Sequence, residues 1–114
     1  MEKTDAVAAL AALAQDNRLD VFRLLVQAGP DGMPAGAVAA ALAVPPNTLT
    51  FHFDRLRMAG LVTVRREGRS MIYAAQFEKM SDLLSFLTEN CCGGAVCAVS
   101  VECKPVSRKK KISA

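Results

Sequence analysis

Four cysteines fall within thirteen residues near the C-terminal end: Cys91, Cys92, Cys97 and Cys103. Cysteines that serve a core are scattered through it. These gather beside Gly93-Gly94, a pair that lets the backbone fold back sharply, so that Cys97 can return toward Cys91 and Cys92. Thiolates select soft, thiophilic ions over hard ones. The lone histidine, His52, lies far away, and Glu102 is the only carboxylate inside the cluster, so the set is sulfur-only. Three sulfurs suit trivalent arsenic or antimony, whose lone pair favours a trigonal pyramid. Cys103 is open to three roles: a spare thiol, an exchange partner, or a fourth ligand. Four thiolates suit tetrahedral zinc or cadmium, although Cys-Cys-x4-Cys-x5-Cys is not a standard finger spacing. Thiol redox sensing is the other chemistry such a cluster supports.

A second set of residues is electrostatic. Arg55, Arg57, Arg65, Arg66 and Arg69 lie within fifteen residues, opposed near the last three only by Glu67. Lys104, Arg108, Lys109, Lys110 and Lys111 fill the last eleven positions without an acid. The net charge of +3 is therefore an uneven average, and positions 1–103 are slightly acidic. One concentrated basic segment on such a body points to a nucleic-acid face.

The elements that must position these groups follow from periodicity and punctuation. At 114 residues, 52% of them hydrophobic, the chain suits one modest core. Its Ala-, Leu- and Val-rich composition favours close-packed helices. Residues 4–15 read as a helix capped by Thr4 or Asp5, with Val7, Leu10, Leu13 and Ala14 as an apolar stripe. A second helix starts at Asp16 or Asn17 and ends at Gly29-Pro30. Residues 35–42 form a short third helix. Val44-Pro45-Pro46 breaks the chain, and Pro46 suits the first turn of a fourth helix over about 46–59, stopped by Gly60. Leu49, Phe53, Leu56 and Met58 or Ala59 give its inner side. Leu61 to Arg65 and Ser70 to Ala74 alternate as two strands around a tight Glu67-Gly68-Arg69 turn. A last helix spans about 77–89. The order is mainly α with a β-hairpin wing: a winged helix-turn-helix of four helices, a hairpin and a fifth helix.

In that arrangement the helix after the break lies in the major groove and its N-terminal residues meet base edges. Asn47, Thr48 and Thr50 stand at that end. Phe51 and His52 follow, and His52 is expected to touch phosphate or base rather than a metal. Arg55 and Arg57 reach phosphate, and Arg65, Arg66 and Arg69 carry the wing to the backbone or minor groove. No charged leader precedes an apolar run, and no stretch has the roughly 20 apolar residues of a membrane helix, so a cytoplasmic protein without a membrane partner is expected. Its cysteines would stay reduced there. No phosphate loop, paired carboxylates or cysteine with a positioned base appears, so neither an enzyme nor an organic cofactor is expected.

Residues 6–90 resemble the ArsR/SmtB family of metal-sensing repressors. The matching passages are Leu42 to Phe53, Leu56 to Val62, and the wing Arg65-Arg66-Glu67-Gly68-Arg69 with Ile72-Tyr73. The resemblance implies a homodimer paired through the first and last helices, with Val7, Leu10, Leu13, Met80, Leu83, Leu84 and Leu87 at the seam. It also implies operator DNA that is released when an ion binds. It favours As(III) or Sb(III) as inducer on Cys91, Cys92 and Cys97, with cadmium, lead or zinc sensing, or a structural zinc site on a constitutive DNA-binding protein, as alternatives. The chain departs from the family's better-known arsenic sensors, because Met33 to Val38 carries no cysteine. It also lacks the Asp/His pairs of the zinc sensors. The expected organisation is a DNA-binding and dimerisation domain over 1–90, a cysteine-rich inducer segment over 91–103 and a disordered basic tail over 104–114.

Overall fold

A computed structural model describes residues 1–94; Cys97, Cys103 and the basic tail lie outside the described residues. Five helices and three strands follow one another as α1 (Lys3–Leu13), α2 (Asp16–Ala28), β1 (Met33–Pro34), α3 (Ala35–Leu42), α4 (Pro46–Met58), β2 (Val62–Glu67), β3 (Ser70–Ala75) and α5 (Phe77–Leu87). A 3-10 turn over Cys91–Gly94 closes the described chain.

The core is built where α2, α3 and α4 meet the root of the sheet. Val21, Leu25, Val38, Leu56 and Leu61 are fully buried there, with Phe53 almost so. The α2 helix starts at Asp16 as expected, and Gln15 caps it, its Oε1 accepting from the Arg18 N–H at 3.0 Å. Arg18 in turn donates from Nε to the Ala12 carbonyl at 2.7 Å, which fixes how α1 joins α2. Glu2, not Thr4 or Asp5, is the N-cap of α1.

The α1 helix turns inward the face that its larger side chains avoid. Ala6 and Ala9 are buried, while Val7 and Leu10 are exposed. Small side chains let the helix approach α2, α4 and α5 closely, and the bulkier residues are left outside. On α5, Leu83 is buried in the same core. It is thereby corrected from a seam residue to a core residue of the single chain, because it is buried in the cluster on which Phe77, Met80 and Phe86 of α5 also pack. Leu13 and Met80 are half-buried against that core, and Leu84 and Leu87 remain exposed.

The sheet has one strand more than the hairpin anticipated. Its order is β1-β3-β2, all antiparallel. Met33 pairs with Tyr73 and Pro34 with Ile72, so the loop after α2 is stitched to the wing's inner strand. Gly32 makes this possible: it adopts φ +75°, and a Cβ there would stand 2.4 Å from the Tyr73 carbonyl oxygen.

Candidate nucleic-acid interface

The α4 helix begins on two prolines. Ala43 ends α3 in a left-handed conformation, and Pro45 is extended at φ −60°, ψ 144°. Pro46 then occupies the first turn, where a missing N–H costs nothing. Among the described residues no side chain caps this end, which leaves the positive pole of the helix to attract an anion. The inner side of α4 is Leu49, His52, Phe53 and Leu56. Asn47, Thr48, Thr50, Phe51, Arg55 and Arg57 are all exposed, which brings six of the expected DNA contacts to one surface.

Internal contacts decide how free these groups are. The Thr50 hydroxyl donates to the Pro46 carbonyl at 3.0 Å, so it meets a ligand mainly as an acceptor. The Arg55 guanidinium lies 5.0 Å from the centre of the Phe51 ring, a cation–π distance. Arg57 is 3.5 Å from Asp54, each side chain half-exposed, and this pair is worth little in water. Asp54 was not anticipated. It shares the outward side of α4, and only the helical projection of that side could have flagged it.

The wing is a two-residue hairpin, with Glu67 opposite Ser70 and Gly68-Arg69 between them. Its arginines differ in commitment. Arg65 donates to Glu67 Oε2 at 2.7 Å and, across the fold, to the Asp31 carbonyl at 2.9 Å. Arg66 leans back on the Gly68 carbonyl at 3.4 Å. Arg69 is exposed at the tip. Behind the wing, Tyr73 stacks on Phe53 with ring centres 3.6 Å apart and planes 5° from parallel. Burial raises the Tyr73 hydroxyl's pKa, Asp54 adds to this and Arg57 opposes it; the phenol stays neutral. The stack binds wing and α4 into one unit. Two clefts border α4. One of about 240 Å³ is lined by alanines of α1 with Arg18, Arg55 and Met58. One of about 200 Å³ lies between α3, α4 and β3. Among the described residues, neither is lined by a carboxylate or a thiol.

Comparison with known proteins agrees with this geometry. A family model described as a helix-turn-helix domain matches residues 13–65. The nodulation protein NolR of Rhizobium meliloti is 30% identical over 80 residues, which are 70% of this chain and 63% of that protein; the chain thus spans under two thirds of that relative. The structure of HlyU from Vibrio cholerae is 30% identical, superposes with a TM-score of 0.61, and is matched over 76% of this chain and 97% of that one. A homodimeric winged helix-turn-helix DNA-binding domain from Mycobacterium bovis, described as a possible ArsR-family regulator, is 27% identical with a TM-score of 0.63. It is matched over 75% of this chain and 76% of its own. The chain belongs to the ArsR/SmtB family.

In this ArsR/SmtB chain His52 is not a surface contact. It is 5% exposed, and neither ring nitrogen has a hydrogen-bond partner among the described residues, so it is corrected from a DNA contact to a residue of the inner face of α4. It lies one position past the outward-facing Phe51, and one position rotates a helical side chain by about 100°. Burial, and secondarily Arg18, holds its pKa below the ordinary 6.5. It therefore stays neutral in the folded chain at a pH where the unfolded chain already takes up a proton. The unfolded state then binds more protons, so stability falls as pH drops below 6.5, and no such loss occurs above it. His52→Leu should flatten that decline and leave stability at about pH 8 unchanged or raised, since no unmet nitrogen remains. Denaturation followed by circular dichroism across this range checks it; parallel curves for both proteins would contradict it.

Of the cysteines, Cys91 is half-buried and Cys92 exposed in the turn that follows α5. Asn90, Cys92, Gly93 and Gly94 all have positive φ, so the chain reverses hand directly after the helix. Among the described residues no three metal-binding side chains come together, and the third expected ligand, Cys97, lies outside them. No helix among them is long and apolar enough to cross a membrane.

Proposed function

We propose that this chain is a homodimeric repressor that grips operator DNA through α4 and the wing, and lets go when Cys91, Cys92 and Cys97 capture trivalent arsenic or antimony. The supporting observation is an adjacency. The thiol pair begins four residues after the end of α5, and α5 packs on α1 while each leaves apolar side chains exposed, Leu84 and Leu87 on the one and Val7 and Leu10 on the other. Such residues are costly in water and suit burial against a second copy. Drawing three thiolates around one ion constrains the end of α5, and hence the seam beside it. A coupling of only about 1–3 kcal/mol suffices to shift DNA affinity substantially. Cadmium, lead or zinc on the same sulfurs is the second reading, with zinc as a purely structural ion its extreme form.

The test begins with metal-free protein and a labelled operator fragment. Sedimentation should show a dimer, and arsenite or antimonite should dissociate the complex. Release by cadmium, lead or zinc alone would transfer the role to that ion. A metal-free protein that neither folds nor binds DNA would favour structural zinc.

The arginine geometry adds a graded expectation. Arg69→Ala should weaken binding to all sequences alike and reduce the slope of log affinity against log salt by about 2 per dimer, roughly 0.9 for each lost phosphate contact. Arg65→Ala should change the slope less, because Arg65 is already engaged by Glu67 and Asp31. Equal slopes for Arg69→Ala and wild type would remove Arg69 from the interface.

A further inference from the structure

Phe51 is a half-exposed aromatic ring on the reading side of α4, at 50% exposure. At 100° per residue, the buried set Leu49, His52, Phe53 and Leu56 defines an inner direction. The side opposite carries Asn47, Phe51, Asp54 and Met58. Phe51 therefore stands near the crest of the helix and not at its flank, one turn in from the open N-terminus. Arg55 covers one face of the ring, and the Phe51–His52 contact is edge-to-face at 5.8 Å. A phosphate cannot repay the exposure of an apolar ring, and no hydrogen-bonding base edge can either. The one apolar group on the floor of the major groove is the C5-methyl of thymine.

We propose that Phe51 determines sequence specificity by packing on a thymine methyl in each operator half-site, with Arg55 as the positioning residue that holds the ring. This rests on the operator-binding role proposed above, and names the base that role requires. The guanidinium lies over the ring, 5.0 Å from its centre. Asn47, one turn earlier on the same crest, supplies the polar neighbour that a bare methyl contact lacks.

The experiment selects binding sites for the full chain from a random duplex library, then replaces each thymine of the selected half-site by uracil, one at a time. Uracil pairs identically and lacks only the methyl. One or two positions should lose about fourfold in affinity, the worth of one buried methyl group. Phe51→Ala should bind the selected site more weakly and be indifferent to uracil at those positions. Phe51→Leu should keep part of the discrimination, and circular dichroism should show both variants folded. A wild-type protein that selects a site and tolerates uracil everywhere would overturn the methyl contact while leaving operator binding intact. Retention of the full uracil penalty by Phe51→Ala would overturn the contact equally. Failure to select any sequence would overturn both.

Discussion

Chains carrying Cys91→Ser or Cys92→Ser are expected to hold operator DNA as wild type does, and to keep holding it at arsenite concentrations that strip the wild-type complex. Neither sulfur belongs to the core: Cys91 is half-buried and Cys92 exposed, both past the end of α5. The substitution therefore leaves folding and the DNA face undisturbed. It replaces a soft ligand by a hydroxyl that a thiophilic ion does not select. In wild type, saturating arsenite should lower operator affinity about 5- to 150-fold, the span of a coupling of about 1–3 kcal/mol. In either variant the ratio should fall close to one. Fluorescence anisotropy of a labelled operator measures both numbers. A Cys92→Ser chain that dissociates normally on arsenite addition would remove the turn after α5 from the ion site.

The second large effect is structural. Gly32→Ala should destabilise the chain by roughly 2–4 kcal/mol, a large part of the total stability of a domain this small. Two penalties combine. The residue sits at φ +75°, and the new methyl would lie 2.4 Å from the Tyr73 carbonyl oxygen and 3.1 Å from the Ala74 Cβ. Backbone cannot step aside as a flexible side-chain tip can. Tyr73 is also the residue that stacks on Phe53, so relief by moving β3 would disturb α4, and DNA affinity should fall with stability. Gly68 is the internal control. It has a similar φ of +63° but open space where a Cβ would stand, so Gly68→Ala should cost only about 1 kcal/mol. Urea denaturation of the two variants separates the terms, and equal losses would show that the close approach contributes nothing.

Local signals made most of the architecture legible. Pro46, Gly60 and the Gly68-Arg69 turn punctuate the chain, and the helices and hairpin appear within one or two residues of their expected bounds. The β1 strand escaped because it is two residues long and its partners, Ile72 and Tyr73, lie nearly forty positions away. No local periodicity encodes such a pairing. On α1 the larger residues drew attention as the apolar stripe, whereas close helix packing put Ala6 and Ala9 inside. Hydrophobicity alone does not say which of two apolar faces turns inward; side-chain size does. The exposed side of α4 and the wing was readable because its residues are nearly contiguous in sequence. His52 was misplaced for the same reason, since a run of neighbours on a helix spans both of its sides. The bonds that tie Arg65 to Glu67 and Asp31 were not readable at all.

The short β1 strand also governs how copies of this chain can aggregate. A sheet grows by adding strands at an unsatisfied rim, and here each rim is spoiled. On one side β1 offers two residues, one of them Pro34, which has no amide hydrogen to donate. On the other, β2 presents Arg65, Arg66 and Glu67, charges that discourage an incoming strand. Ribbon-like, open-ended growth is blocked at both margins. The homodimer proposed above, with like helical patches meeting about a two-fold axis, would close at two.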